Sequence, residues 1–118
     1  MKGIVFTPRP NAMESYEVKD FGEPLYQTIR DRIGGYMEVV RLTGSPYVFL
    51  VDEDGLNKDL EINAFASALA GTLIVGTVVL MKIGETEDGP DIVGLDDVET
   101  ECFRVCLEHS GGLKEVRT

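Results

Sequence analysis

The sequence predicts an α+β fold: a small mixed β-sheet in the order β-hairpin, helix, further strands (β-grasp-like), plus a short helix and a C-terminal helix. Three observations lead there. A short N-terminal strand closed by Pro8 and Pro10 is followed by a second alternating run, as a hairpin requires. A helix-period segment ends in Gly34-Gly35 and passes directly into an alternating run, Tyr36 to Leu42. The most apolar stretch, Leu73 to Met81, carries β-branched residues on both faces, as a strand with neighbours on either side does. In a β-grasp order the helix crosses one face and delivers the chain to a strand parallel to the first; a mixed-sheet sandwich of other connectivity is the alternative. The 118 residues suffice for one domain, assigned to 1–110, with 111–118 as a C-terminal tail.

Gly3 to Thr7 forms the first strand, Asn11 to Glu14 a turn, and Ser15 to Asp20 the returning strand. Pro24 suits a first helical turn, and Leu25, Ile29 and Ile33 give that helix its apolar stripe before the glycines stop it. Tyr36 to Leu42 is the third strand; neither of its faces is fully apolar, which suits a place near an edge or a functional surface. Thr43 to Pro46 turns the chain into a fourth strand, Tyr47 to Asp52. After the turn Asp52 to Gly55 and an irregular crossing, Leu56 to Ile62, Asn63 caps a short apolar helix, Ala64 to Ala70, stopped by Gly71. Thr72 to Ile83 is the fifth and central strand, with a bulge or a close backbone approach at Gly76. Gly84 to Gly94 reads as a polar loop and Asp96 to His109 as the last helix, with Asp96, Asp97 and Glu99 at its positive end.

Composition excludes several functions. Eleven basic residues against twenty-one acidic ones give a net charge of −10, which repels nucleic-acid backbones and anionic lipid. Leu73 to Met81 falls far short of the ~20 apolar residues of a membrane-spanning helix. The N-terminus reaches proline and arginine too soon for a signal peptide, so a cytoplasmic location is expected.

Motifs for chemistry are sparse. Cys102, Cys106 and His109 share a stripe with Val98 and Val105, which reads as small core residues; as metal ligands they lack the further cysteine or histidine that four-coordination needs. The series Asp52, Asp54, Asn57, Asp59, Glu61 alternates oxygen ligands like a calcium loop, but Gly55 comes too early for the EF-hand spacing. Gly34-Gly35 follows a helix, so the neighbouring dipole end has the wrong sign for phosphate. His109 is the sole histidine and lies on the apolar stripe, which leaves no nucleophile-base pair elsewhere. No catalytic residue, metal or cofactor is assigned.

A resemblance spans residues from about 1 to 106. It rests on the N-terminal Met1-Lys2 strand with proline soon after, Ile33-Gly-Gly-Tyr-Met-Glu-Val-Val40, the strand ending Asp52-Glu-Asp-Gly55, the Asn63 segment, Ala70-Gly-Thr72 and Ile92-Val-Gly-Leu95. These together resemble an uncharacterised bacterial and phage family, domain of unknown function 3846. The stretch Lys58 to Asn63 and the longer loop Gly84 to Pro90 depart from its pattern. The resemblance supplies no activity; it implies a small accessory protein of phages, prophages and mobile elements.

Three classes of function follow. The first is a non-enzymatic interaction protein that binds a basic host or phage protein through Tyr36, Glu38, Asp52 and Asp54; full DNA mimicry is a narrower form, needing carboxylates along one elongated face. The second is a module sequestering a small anionic ligand, such as a nucleotide signal used in host defence, with Arg30, Arg32 and Arg41 neutralising it. The third is an enzyme, which would need a carboxylate pair such as Glu38 and Asp52 facing each other in a cleft. Exposed strand edges make a homodimer an expectation as well.

Overall fold

The computed structural model describes residues 1–8, 15–109 and 112–116. Its elements are β1 (Lys2–Thr7), β2 (Ser15–Asp20), α1 (Leu25–Ile33), β3 (Met37–Arg41), β4 (Tyr47–Asp52), α2 (Ala64–Ala70), β5 (Val78–Thr86), β6 (Gly89–Val93), α3 (Asp97–His109) and β7 (Lys114–Glu115). The turn expected at Asn11 to Glu14 lies outside the described residues.

The alternation of the strands decides how the layers stack. Ile4 and Phe6, Phe49 and Val51, and Val78 and Leu80 face one side of the sheet, where α2 and α3 cover them with Ala66 and Leu107. Val5, Val48, Leu50, Val79 and Met81 face the other, where α1 covers them with Ile29 and Ile33. The sheet is thus the middle of three layers, and its central strands are apolar on both faces. Burying each large aliphatic or aromatic side chain contributes roughly 1.5–3 kcal/mol.

The strand order is β3-β4-β5-β1-β2-β7, with β6 paired to the outer part of β5. All neighbours are antiparallel except β2 and β7, which makes the sheet mixed. The expected hairpin is β1 and β2, and β5 is central as expected. The β-grasp connectivity is not what forms. The strand after α1 is β3, at the far edge, separated from β1 by the two strands β4 and β5 and antiparallel to it through the chain of pairings. The place beside β1 is taken by β5, whose unbroken apolar run can be covered on both faces.

Other boundaries move for local reasons. Pro24 is the extended cap before α1 rather than part of its first turn (φ −74°, ψ 131°). Gly76 takes a left-handed φ of 78° against the Leu60 side chain, so the ladder of β5 starts at Val78 instead of Thr72. The expected loop Gly84 to Gly94 contains β6: Thr86 pairs with Gly89 across a two-residue turn, and the Thr86 hydroxyl donates to the Gly89 carbonyl at 2.7 Å. Leu113 is buried in the core and β7 pairs in parallel with β2, so part of the stretch read as a tail is built into the sheet.

Candidate functional site

Gly34 and Gly35 join α1 to β3, and each has its own physical reason. Gly34 ends the helix in the left-handed region (φ 95°), its N–H donating to the Arg30 carbonyl at 2.7 Å. Gly35 lies under an ion pair: a Cβ there would stand 2.7 Å from Lys58 Nζ and 2.8 Å from Asp52 Oδ2. Lys58 donates to Asp52 Oδ2 at 2.6 Å and to the Gly34 carbonyl at 3.1 Å, while the Asp54 N–H donates to Asp52 Oδ1 at 2.9 Å. Only 2% of the Asp52 side chain is exposed. Burial raises its pKa, but the Lys58 and Asp54 hydrogen bonds and the lysine charge outweigh that and hold it below the ordinary carboxylate value. Asp52 therefore fastens the α1–β3 junction to the turn after β4, and its carboxylate is not presented to solvent.

The remaining predicted positions separate into distinct places. Tyr36 is 66% exposed, with the Arg30 guanidinium 5.5 Å from its ring centre. With Gln27, Asp31, Gly34 and Gly35 they line an open hollow of about 430 Å³. Arg32 points instead towards β1 and β2, donating to Thr7 Oγ1 at 3.3 Å and Glu17 Oε1 at 3.4 Å. Arg41 is exposed on β3. The three arginines do not converge, so these three form no common cradle for an anion within one chain.

Glu38 is opposite Val51 in the β3–β4 ladder, and Met37 is opposite Asp52. Val51 packs on the α2–α3 side and Met37 on the α1 side. Glu38 and Asp52 consequently point to opposite faces, and the carboxylate pair that hydrolytic chemistry would need is not formed by them. The same parity separates Glu38 from Arg41. Asp54 is exposed on the turn that follows β4. Among the described residues there is no group of three or more histidine, cysteine or acidic side chains placed to hold a metal.

On the Glu38 face lies a notch of about 180 Å³, lined by Glu38, Val40, Val51, Leu56, Leu73 and Ile74 among others. Leu56 and Leu73 are 69% and 55% exposed. Glu53 joins Glu38 in its lining, and neither makes an ion pair among the described residues. The sequence pointed to Glu38 but not to Glu53, Leu56 or Leu73. Leu56 stands alone in the polar, irregular stretch after β4, whereas Leu73 opens the most apolar stretch of the chain, whose pattern points to a buried strand rather than to an exposed side chain.

Charged groups elsewhere hold the layers together. At the foot of α3, the Asp96 carboxylate accepts from the Glu99 N–H at 2.7 Å, and Glu99 Oε1 accepts from the Asp96 N–H at 3.0 Å, a reciprocal capping box. Glu99 also accepts from Lys82 at 2.6 Å and from the Tyr47 hydroxyl at 2.8 Å. Burial opposes its charge, yet these three donors and the lysine charge bring its pKa down to about 2, and the Glu99 contact pushes Tyr47 up to about 12. Tyr26 donates to Asp91, tying α1 to β6, and Arg104 donates to Glu115 at 3.2 Å through two nitrogens, tying α3 to β7.

The cysteines are a correction. Cys102 and Cys106 are both exposed, with Val98 and Val105 72% and 56% exposed beside them. The face of α3 that turns inward carries Thr100, Phe103 and Leu107. That stripe contains a threonine and has fewer apolar members than the one left outside, so a count of apolar positions selects the wrong side.

No helix among the described residues is long and apolar enough to cross a membrane. Comparison with curated proteins and with solved structures returns no match. The family model described as Domain of unknown function (DUF3846) matches residues 1–104. With almost the whole chain covered, from the first strand to the middle of α3, the protein belongs to that family.

Proposed function

We propose that this chain is a non-enzymatic interaction protein that binds a basic partner protein through the notch face of β3 and β4. The observation that carries this reading is the notch itself: exposed Leu56 and Leu73 beside Val40, rimmed by Glu38 and Glu53, which have no ion-pair partner among the described residues. Apolar surface rimmed by one sign of charge favours a partner that brings aliphatic side chains and lysine or arginine together. The nearby cations are held elsewhere, Lys58 by Asp52 and Gly34, and Arg30 over Tyr36. Tyr36 lines the separate hollow with Arg30, Asp54 is exposed on the turn after β4, and Asp52 is held by Lys58. An origin in phages or mobile elements, where small accessory proteins act on host proteins, fits this role.

A comparative pull-down tests the reading. Immobilised wild-type protein and a Leu56→Ser/Leu73→Ser variant are exposed to the same bacterial lysate at low and high salt. A protein retained by the wild type, released by salt and lost with the variant supports the proposal. Identical capture by both, or none by either, refutes it.

The hollow between Arg30 and Tyr36 supports a second reading, capture of a small planar anion stacked on the tyrosine ring. A thermal-shift series with mono-, di- and cyclic nucleotides checks it: no shift at millimolar ligand removes it.

A further inference from the structure

The backbone of β3 adds a feature that the notch alone does not have. In the ladder with β4, Glu53 N–H donates to the Tyr36 carbonyl at 3.0 Å and Leu42 N–H donates to the Tyr47 carbonyl at 3.1 Å. These two pairs continue the β3–β4 register, so Tyr36, Glu38, Val40 and Leu42 direct their amides inward to β4. The N–H and C=O groups of Met37, Val39 and Arg41 therefore point away from it, and no strand lies beyond β3 among the described residues. An open ladder of this kind is a template for one more strand.

Resting on the interaction reading above, we propose that the partner engages by β-strand addition: an extended segment pairs with the free edge of β3. Main-chain hydrogen bonds to Met37, Val39 and Arg41 supply the attachment, and side chains on alternate positions supply the choice of sequence. Strands in a sheet lie about 4.8 Å apart, so a side chain of the added strand beside Val40 reaches the lip of the notch. On that face the segment carries an aliphatic residue next to Val40 and, two positions away, a lysine or arginine next to Glu38. On the opposite face it meets exposed Val39 and Arg41, which suit an apolar or acidic side chain.

The occupant is a basic, alternating segment of another protein rather than a second copy of this chain. Two copies joined edge to edge would bring two acidic rims together, each on a chain of net charge −10. Glu38 on one strand would face uncharged residues or another Glu38, because directly opposed residues must share a face.

Selection from a random twelve-residue peptide library on the immobilised full chain tests this, with Val39→Pro and Leu73→Ser as separate variants. Proline at position 39 removes an N–H that points away from β4, so the internal ladder keeps its hydrogen bonds and the edge loses its central donor. An unchanged thermal melt verifies that the variant folds. The expected result is enrichment of peptides alternating aliphatic with basic residues, bound at least tenfold more weakly by Val39→Pro and by Leu73→Ser.

Peptides that lose affinity for Leu73→Ser but not for Val39→Pro overturn strand addition while leaving the notch as a binding surface. No enrichment over a bare support overturns recognition of a linear segment; the pull-down then decides the interaction reading by itself. A wild-type dimer in light scattering that Val39→Pro converts to monomer overturns the proposal by giving the edge to a second copy.

Discussion

Glu99 and Glu38 are the same residue type in opposite circumstances. At the foot of α3, Glu99 accepts hydrogen bonds from Lys82, Tyr47 and the Asp96 N–H and joins helix to sheet. At the rim of the notch, Glu38 is exposed beside apolar side chains and makes no ion pair among the described residues. Asp52 belongs with Glu99: it lies on the same strand pair as Glu38, one register step along, but its face and its lysine make it structural. In an acidic chain, a carboxylate's role is read from its partners rather than from its place in a cluster of charge.

The largest expected effect breaks the structural side of this contrast. Gly35→Ala puts a Cβ into the Asp52–Lys58 contact and costs about 2–3 kcal/mol, because the half-exposed lysine end must swing aside and leave the buried carboxylate short of a charged donor. Urea unfolding measures it. In a Lys58→Met background the alanine should cost much less; an undiminished cost would mean that the glycine is needed for another reason.

Glu99→Gln is next, at roughly 2 kcal/mol near neutral pH, since one charge-assisted network at the helix foot is weakened. Its acid dependence carries a definite sign. The folded pKa is about 2, below the unfolded glutamate value, so the unfolded chain binds more protons in between. The stabilisation is complete above the unfolded pKa and is lost as pH falls from about 4.5 towards 2. Asp52 acts in the same direction. Unfolding midpoints at pH 6, 4 and 3 should fall more steeply for wild type than for Glu99→Gln; parallel curves would remove Glu99 from the account.

At the rim the stability effects are expected to vanish while binding changes. Glu38→Gln and Glu53→Gln should each alter unfolding free energy by no more than about 0.5 kcal/mol. The same substitutions should reduce salt-sensitive retention of the partner. A large stability loss would place Glu38 in the same class as Glu99.

Smallest of all, Cys102→Ser and Cys106→Ser should be neutral within about 0.5 kcal/mol, and both thiols should react with a chromogenic disulfide in the native protein. Thiols that react only after unfolding would return them to the core.

Much of the fold is legible locally. Asn63 and Gly71 bracket α2 as their side-chain and backbone chemistry requires, the Asn63 side-chain Oδ1 accepting from Ala66 N–H at 3.3 Å. The acidic start of α3 resolves into its capping box. What is not legible depends on the distant chain. β6 and β7 are short, with no sustained alternation of their own, and form as strands against the ladders that β5 and β2 offer.

The site divides in the same way. Tyr36, Glu38 and Arg41 follow from a strand whose faces are both mixed, and an edge position explains that mixture. Asp52 looked equally available, because its lysine comes from an irregular stretch with no period to announce the contact. Leu56 and Leu73 meet at the notch from separate loops, a proximity that only tertiary structure creates.

The contact over Gly35 also bears on how this family can vary. A glycine, an aspartate and a lysine at positions 35, 52 and 58 occupy one small volume, so none is free to drift alone. Relatives that keep the lysine and aspartate should keep the glycine, and those that lose the lysine should be where a side chain reappears at position 35. The double glycine would then be inherited as two separate characters, the first following the helix it ends and the second following an ion pair further along the chain.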